Sequence, residues 1–373
     1  MERLAVIGGL IVAAMFALGA LTPAVWDNVH IEVAADHDWE EAEPVSADQI
    51  TPFAETAFAA ERLVISDAAV RLEVIPEDRQ DYAVSIENAG PLATPTVSAD
   101  GGVVVVNGRL GAGVSCRHDG DVVIHGRGGV NRESLPLVRV RAPRTLAVES
   151  AGANQVRVGD AAALQLVIRG CGDAEVGDVD ALLNLTVAGA GDVKTGRLGS
   201  AQFDLAGSGD VAAAAVTGAL QAAIGGSGTL TVAEASGAAN VSVAGSGEAR
   251  IGGGTLSAFD GVVSGSGDIQ VDADVNGPAV TRVSGSGEIS IEGTVQTLNA
   301  TVEGSGEVDV EAVRGAQTRI VRGSGTIEVG GARGLQPPTP PTPPEAARAP
   351  APAEAARRPA PPEAARPAEP ATP

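Results

Sequence analysis

The chain has 373 residues, with 47 acidic side chains against 25 basic ones and a formal net charge of −22. So acidic a surface lacks the basic stripe that nucleic acid or anionic lipid would need. Apolar residues make up 44%, but only eight residues are aromatic and 49 are glycine, so the core must be built from Val, Ile, Leu and Ala, which suits stacked β layers better than packed helices.

The N-terminus reads MERLAVIGGLIVAAMFALGALTPAVW, with no charged side chain from Leu4 to Leu21. That run is close to the minimum for a membrane span and also fits a secretory signal. No sharp small-x-small cleavage site follows, which favours an uncleaved anchor over residues 1–26. Arg3 precedes the run and acids follow it. The positive-inside rule then puts the rest of the chain outside the cytoplasm, on the periplasmic side of a bacterial envelope, or in the medium if the segment is cleaved. Residues 27–61 read as an acidic, solvated linker, since positions 27–60 hold nine acids and no Lys or Arg.

Strand signals begin at Arg62 with LVISDAAVRLEVIP and continue through YAVSIENAG, GGVVVVNG, LPLVRVRAP and TLAVES, separated by Gly, Asp and Pro. Residues 62–149 are expected to form an N-terminal β cap. Within them CRHDGDVVIH groups Cys116, His118 and His125, a spacing open to metal ligation and equally to an ordinary strand and turn.

Residues 150–333 carry the repeat. The first Gly of a Gly-small-Gly triplet stands at 170, 189, 207, 226, 245, 265, 285, 304 and 323, in steps of 18 to 20. SAGANQV, from Ser150, reads as a degraded earlier copy. Two positions before the first Gly stand large aliphatics in all nine copies, from Ile168 and Val187 to Val302 and Val321; four positions after it all nine are again apolar. Polar residues alternate with them, which is the period-two pattern of a strand on each side of a corner. A step of about 19 residues is too short for a β-α unit with a packed helix and suits one coil of a parallel β-helix, right-handed in the usual case. The expected fold is therefore all-β: a parallel β-solenoid with Gly-Ser-Gly corners. Glycine would supply positive φ at the corner, and the small middle residue would avoid its copy on the next coil. The spacing leaves open whether one or two such corners complete a circuit.

The residue after each triplet is acidic at Asp173, Asp192, Asp210, Glu248, Asp268, Glu288 and Glu307. Stacked one per coil, these would form an acidic ladder. Calcium bridging is the sharp reading of that ladder; a solvated acidic edge that discourages aggregation is the plain one. No other cofactor is indicated. Cys116 and Cys171 are the only cysteines; in an oxidising compartment a disulfide would tie the cap to an early coil, whereas Cys171 could also be a small unpaired corner residue. No Ser-His-Asp arrangement or phosphate loop is visible, so catalysis finds little support. From LQPPTPPTPP onward, residues 334–373 form a Pro/Ala-rich tail expected to be extended and disordered.

The stretches AGSGDVA, GGSGTLTV, VAGSGEARI, VSGSGDIQV and VEGSGEVDV, together with the approach LVRVRAPRTLAVESAG, resemble the auto-transporter adhesin head domain family, the GIN domain. The resemblance covers roughly residues 62–330. It implies a fold similar to pectate-lyase-like β-helices, no catalytic residues and a role in cell adhesion. The apolar N-terminus and the proline tail depart from the family pattern. Three functional readings follow: a non-enzymatic envelope adhesin or binding scaffold with a protein or cell-surface ligand; a structural or sensory envelope component that binds another membrane protein; and, least favoured, a polysaccharide-active enzyme. Homo-oligomerisation is left open.

Overall fold

The computed structural model describes residues 46–330, except 89, 112–113, 117–120 and 125–127. The apolar segment 1–26, the first part of the expected linker, the tail 334–373 and all four histidines (His30, His37, His118 and His125) lie outside the described residues. Among the described residues the helical content is two 3-10 turns, Ala47–Ile50 and Arg132–Ser134, and no helix is long and apolar enough to cross a membrane.

From residue 145 onward the chain winds as a parallel β-solenoid. One coil shows the plan. Glu288–Ile291 lies on a first face, Thr294 and Val295 lie on a second, and Leu298–Gly304 runs along a third. The Gly304-Ser305-Gly306 corner then returns the chain to the first face. One circuit later the same places are held by Glu307, Ala312, Gln317 and Gly323, each paired in parallel with its predecessor. One Gly-x-Gly corner therefore completes each circuit, and the sequence period is the coil. Ten corner glycines stack in this way, from Gly152 through Gly170, Gly189 and onward to Gly323.

Alternation of side chains along each strand fills the lumen. The aliphatics two positions before the corner are buried from Ile168 through Val302, and those four positions after it are buried from Ala174 through Val308. Burying each Val, Leu or Ile contributes about 1.5–3 kcal/mol. Bulk in the narrow lumen is compensated by small neighbours: Phe259 stacks between Ala239 and Ala279, and Phe203 sits beside Ala222.

The corner is stricter than positive φ alone would make it. Gly189, Gly207 and Gly226 do not adopt positive φ. At all ten first glycines, however, an added Cβ would lie 1.9–2.6 Å from a carbonyl oxygen of the coil below. Lack of room, more than dihedral freedom, fixes glycine here. The second glycine faces inward and is buried from Gly172 through Gly306, whereas the Ser between them is exposed, so smallness at the middle position is not imposed by the core.

The stack begins before the first corner. Arg62–Ala68 pairs in parallel with the strand of Val148, and Arg71–Glu77 pairs with Gln155–Val158, so residues 62–77 supply a preliminary coil. The chain then leaves the stack. Leu137–Pro143 adds in parallel to Arg71–Glu77, Tyr82–Glu87 adds to it antiparallel, and Phe53–Phe58 closes that side. On the third face Val103–Asn107 adds in parallel and Thr96–Asp100 antiparallel. The terminal strands Phe53–Phe58 and Thr96–Asp100 are short and largely exposed, a common way to blunt a sheet edge. The linker expected over 27–61 therefore gives way to ordered structure by residue 47, because Phe53–Phe58 is needed as an edge strand.

A second sheet of Val114–Cys116, Val122–Ile124 and Gly128–Val130 sits outside the coils. Its small core joins Val122, Ile124 and Val130 to Ala69, Leu92 and Ala153. Cys116 and Cys171 are disulfide-bonded, linking this sheet to the corner of an early coil.

Candidate functional site

The outward rows of the three faces are the chemical surface of the molecule. On the first face the acidic positions stack one per coil: Glu248 on Asp268, Asp268 on Glu288 and Glu288 on Glu307, with Thr229 below and Thr326 above. Asp173, Asp192 and Asp210 hold the same position in earlier coils. Like charges at coil spacing repel by about 1 kcal/mol in water. Backbone donors offset this: Asp192 Oδ1 accepts the N–H of Asp210 at 3.1 Å, Asp210 Oδ1 that of Thr229 at 2.9 Å, and Asp268 Oδ1 that of Glu288 at 3.1 Å. Each of these three aspartates thus binds the coil above. Asp160 and Asp178 do the same at the entry to the second face, taking the N–H of Asp178 and Arg197. Among the described residues no three His, Cys, Asp or Glu side chains converge as metal ligands would.

The next row on this face alternates in sign. Arg139, Glu73, Arg157, Glu175 and Lys194 stack in that order. Arg139 Nε binds Glu73 at 3.0 Å and Arg157 Nε binds Glu175 at 3.0 Å. The carboxylates of Glu73 and Glu87 hold the Arg139 guanidinium above its usual range. A groove of 720 Å³ opens beside the row, lined in part by Arg71, Arg132 and Arg157. Its cations are already engaged: Arg132 pairs with Asp173, Arg157 with Glu175, and Arg71 Nε donates to the Leu135 carbonyl. In the capping strands, burial pushes the Tyr82 phenol up; its hydroxyl donates to the Glu61 carbonyl and accepts the Ala147 N–H.

The third face carries a different chemistry. Five positions before each corner glycine the outward side chains are Gln165, Asn184, Gln202, Gln221 and Asn240, stacked in register over five coils. None of these amides makes a side-chain hydrogen bond among the described residues. Beside the last four run Thr186, Asp204, Ala223 and Ser242, so that Asp204 is the single charge over the coils of Asn184 to Asn240, while the coil of Gln165 adds Arg169. The amide row has a sequence signal, the recurrence of Gln or Asn at a fixed offset from the corner, but it is hidden by the general rule that outward strand positions are polar.

The outward rows run unbroken from coil to coil along the stack. The family described as putative auto-transporter adhesin, head GIN domain, matches residues 101–255 and 256–334, together more than half of the sequence. The chain belongs to this family. Three solved structures are similar to this GIN-domain chain. A putative adhesin from Parabacteroides distasonis is 14% identical, with 75% of this chain and 96% of that one covered and a TM-score of 0.39. A putative lipid binding protein from the same organism is 14% identical, with 75% and 96% covered and a TM-score of 0.33. A putative adhesin from Bacteroides fragilis is 13% identical, with 75% and 97% covered and a TM-score of 0.31. No curated protein matches the chain.

Proposed function

We propose that this GIN-domain protein is a non-enzymatic binding solenoid of the bacterial cell envelope, acting as an adhesin or scaffold for a protein or cell-surface ligand. The observation that supports it best is the ten-corner stack itself, which repeats one coil plan with varied outward side chains. The Cys116–Cys171 bridge supports an oxidising, extracytoplasmic location. The apolar segment 1–26 is then the membrane tether.

The test has two arms. Protease added to intact cells and to spheroplasts should cleave the solenoid only from the extracytoplasmic side, and deletion should reduce attachment to surfaces or to other cells. A solenoid shielded inside the cytoplasmic membrane, or unchanged attachment after deletion, overturns the reading.

The last coil favours a second reading, a structural or sensory role with a membrane-protein partner. All seven residues of Gln317–Gly323 are exposed, with Ile320 and Val321 39% and 44% accessible. An edge of this kind can accept an added strand from a partner. Crosslinking in cells separates the two, since an adhesin joins proteins of a neighbouring surface and an envelope component joins proteins of its own membrane.

A further inference from the structure

We infer that the amide row of the third face is a binding site for a neutral, extended, β-1,4-linked polysaccharide lying along the solenoid axis. The inference rests on the binding role proposed above and names the ligand chemistry.

Charge supplies the first argument. The protein carries 47 acids, yet the patch spanned by Asn184, Gln202, Gln221 and Asn240 holds one charged side chain, Asp204. The first face over the same coils carries Asp192, Lys194, Asp210, Glu248 and Arg250. Anionic polymers are repelled by the protein as a whole, and cationic ones are drawn to the acidic first face. The third face is left for an uncharged partner.

Hydrogen-bonding capacity supplies the second. Each amide offers a carbonyl acceptor and two N–H donors, and in these residues all of them are free of partners among the described residues. Gln202, Gln221 and Asn240 are exposed. Sugar hydroxyls both donate and accept, so they match amides better than they match carboxylates or guanidinium groups, which do only one of the two.

Spacing supplies the third. Stacked strands lie about 4.8 Å apart, and an extended β-1,4-linked pyranose chain advances by a comparable distance per sugar. A chain along the axis therefore meets one amide per coil over the four coils from Asn184 to Asn240. Beside the row, Ala188, Ala206, Gly225 and Ala244 keep the surface low. There is no aromatic platform on this patch, so each sugar binds weakly and useful affinity comes from several coils acting on one polymer.

The probe is hydroxyethylcellulose, cast into a native gel through which the full-length protein migrates. Wild-type protein should be retarded. The triple variant Gln202→Ala/Gln221→Ala/Asn240→Ala should be retarded roughly tenfold less in apparent affinity, about 1.4 kcal/mol, while Gln296→Ala on the second face behaves as wild type. All substituted positions are exposed, and a thermal melt confirms that each variant is folded. Absence of retardation of the wild type, or retardation unchanged in the triple variant, overturns the inference. So does a wild-type dimer in size-exclusion chromatography that the triple variant abolishes, because a second copy then occupies the face. Attachment of cells expressing the triple variant is scored in parallel. Attachment that persists while the wild-type protein ignores the polysaccharide sinks the ligand assignment and leaves the adhesin reading standing; loss of attachment on deletion of the gene is needed for both.

Discussion

An added Cβ on Gly287 would lie 2.6 Å from Cγ1 of Val263 and 2.1 Å from the carbonyl oxygen of Gly267, both in the preceding coil. The contact recurs: Gly306 faces Val283 and Gly325 faces Val302 in the same way. The aliphatic column before each corner and the second glycine after it are thus one packing unit, shared by successive coils. Gly287→Ala should destabilise the protein by about 1–3 kcal/mol or more, since neither a packed Val nor a stacked backbone can retreat. Ser286→Ala, at the exposed position beside it, should stay within about 0.5 kcal/mol. Thermal melts of the two variants check the contrast, and equal effects would remove the packing explanation.

Three aspartates of the acidic ladder, Asp192, Asp210 and Asp268, accept backbone N–H groups of the next coil. Replacing Asp210 by Ala removes the acceptor for the Thr229 N–H and should cost about 0.5–1.5 kcal/mol. Asp210→Asn retains an acceptor oxygen and should cost less. A chelator, or added calcium, should leave the melting temperature where it was. A clear rise with calcium, lost in Asp210→Ala, would mean that a cation and not the backbone joins the coils.

The repeat was legible in the sequence because every coil solves the same steric problem with the same residues at nearly constant spacing. The beginning of the stack was not. Residues 62–77 enter the solenoid and are then separated from the next coil by the capping strands, so their pairing with Val148 and Gln155 is a contact across most of a domain. Asn154 shows the consequence. It stands where the second corner glycine should be and reads as decay of the motif. In the fold it is 2% exposed. Its Oδ1 accepts the Val70 N–H at 3.1 Å, and its amide nitrogen donates to Ser150 Oγ at 3.0 Å and to the Ala151 carbonyl at 3.2 Å. The preliminary coil leaves that N–H without a ladder partner, and Asn154 satisfies it from 84 positions away. Local pattern cannot reveal such a bond.

Thr281 occupies a lumen position between Gly261 and Ala300 and is fully buried, yet its hydroxyl has no hydrogen-bond partner among the described residues. An unsatisfied buried hydroxyl costs about 1–3 kcal/mol. Thr281→Val keeps the branched shape and removes the polar atom, so it should raise the melting temperature. Thr281→Ala also removes the hydroxyl but opens a small void and should gain less. A fall in stability for Thr281→Val would show that the hydroxyl is satisfied in solution by a water that the packing admits.

The Cys116–Cys171 bridge closes a separation of 55 residues and fastens the outer three-stranded sheet to an early corner. Closing a loop of this length contributes about 2–4 kcal/mol in the chain-entropy account. The solenoid has its own large core, whereas the outer sheet rests on the small cluster of Val122, Ile124, Val130 and their neighbours. Loss of the bridge should therefore be felt unevenly. In Cys116→Ser/Cys171→Ser, amide exchange should accelerate in 114–130 while the coils from Gly245 to Gly304 keep their protection. Reductant should reproduce the effect in the wild type and do nothing further to the variant. Uniform loss of protection along all coils would mean that the cap region nucleates the entire stack, and that the bridge guards the fold and not only its outer sheet.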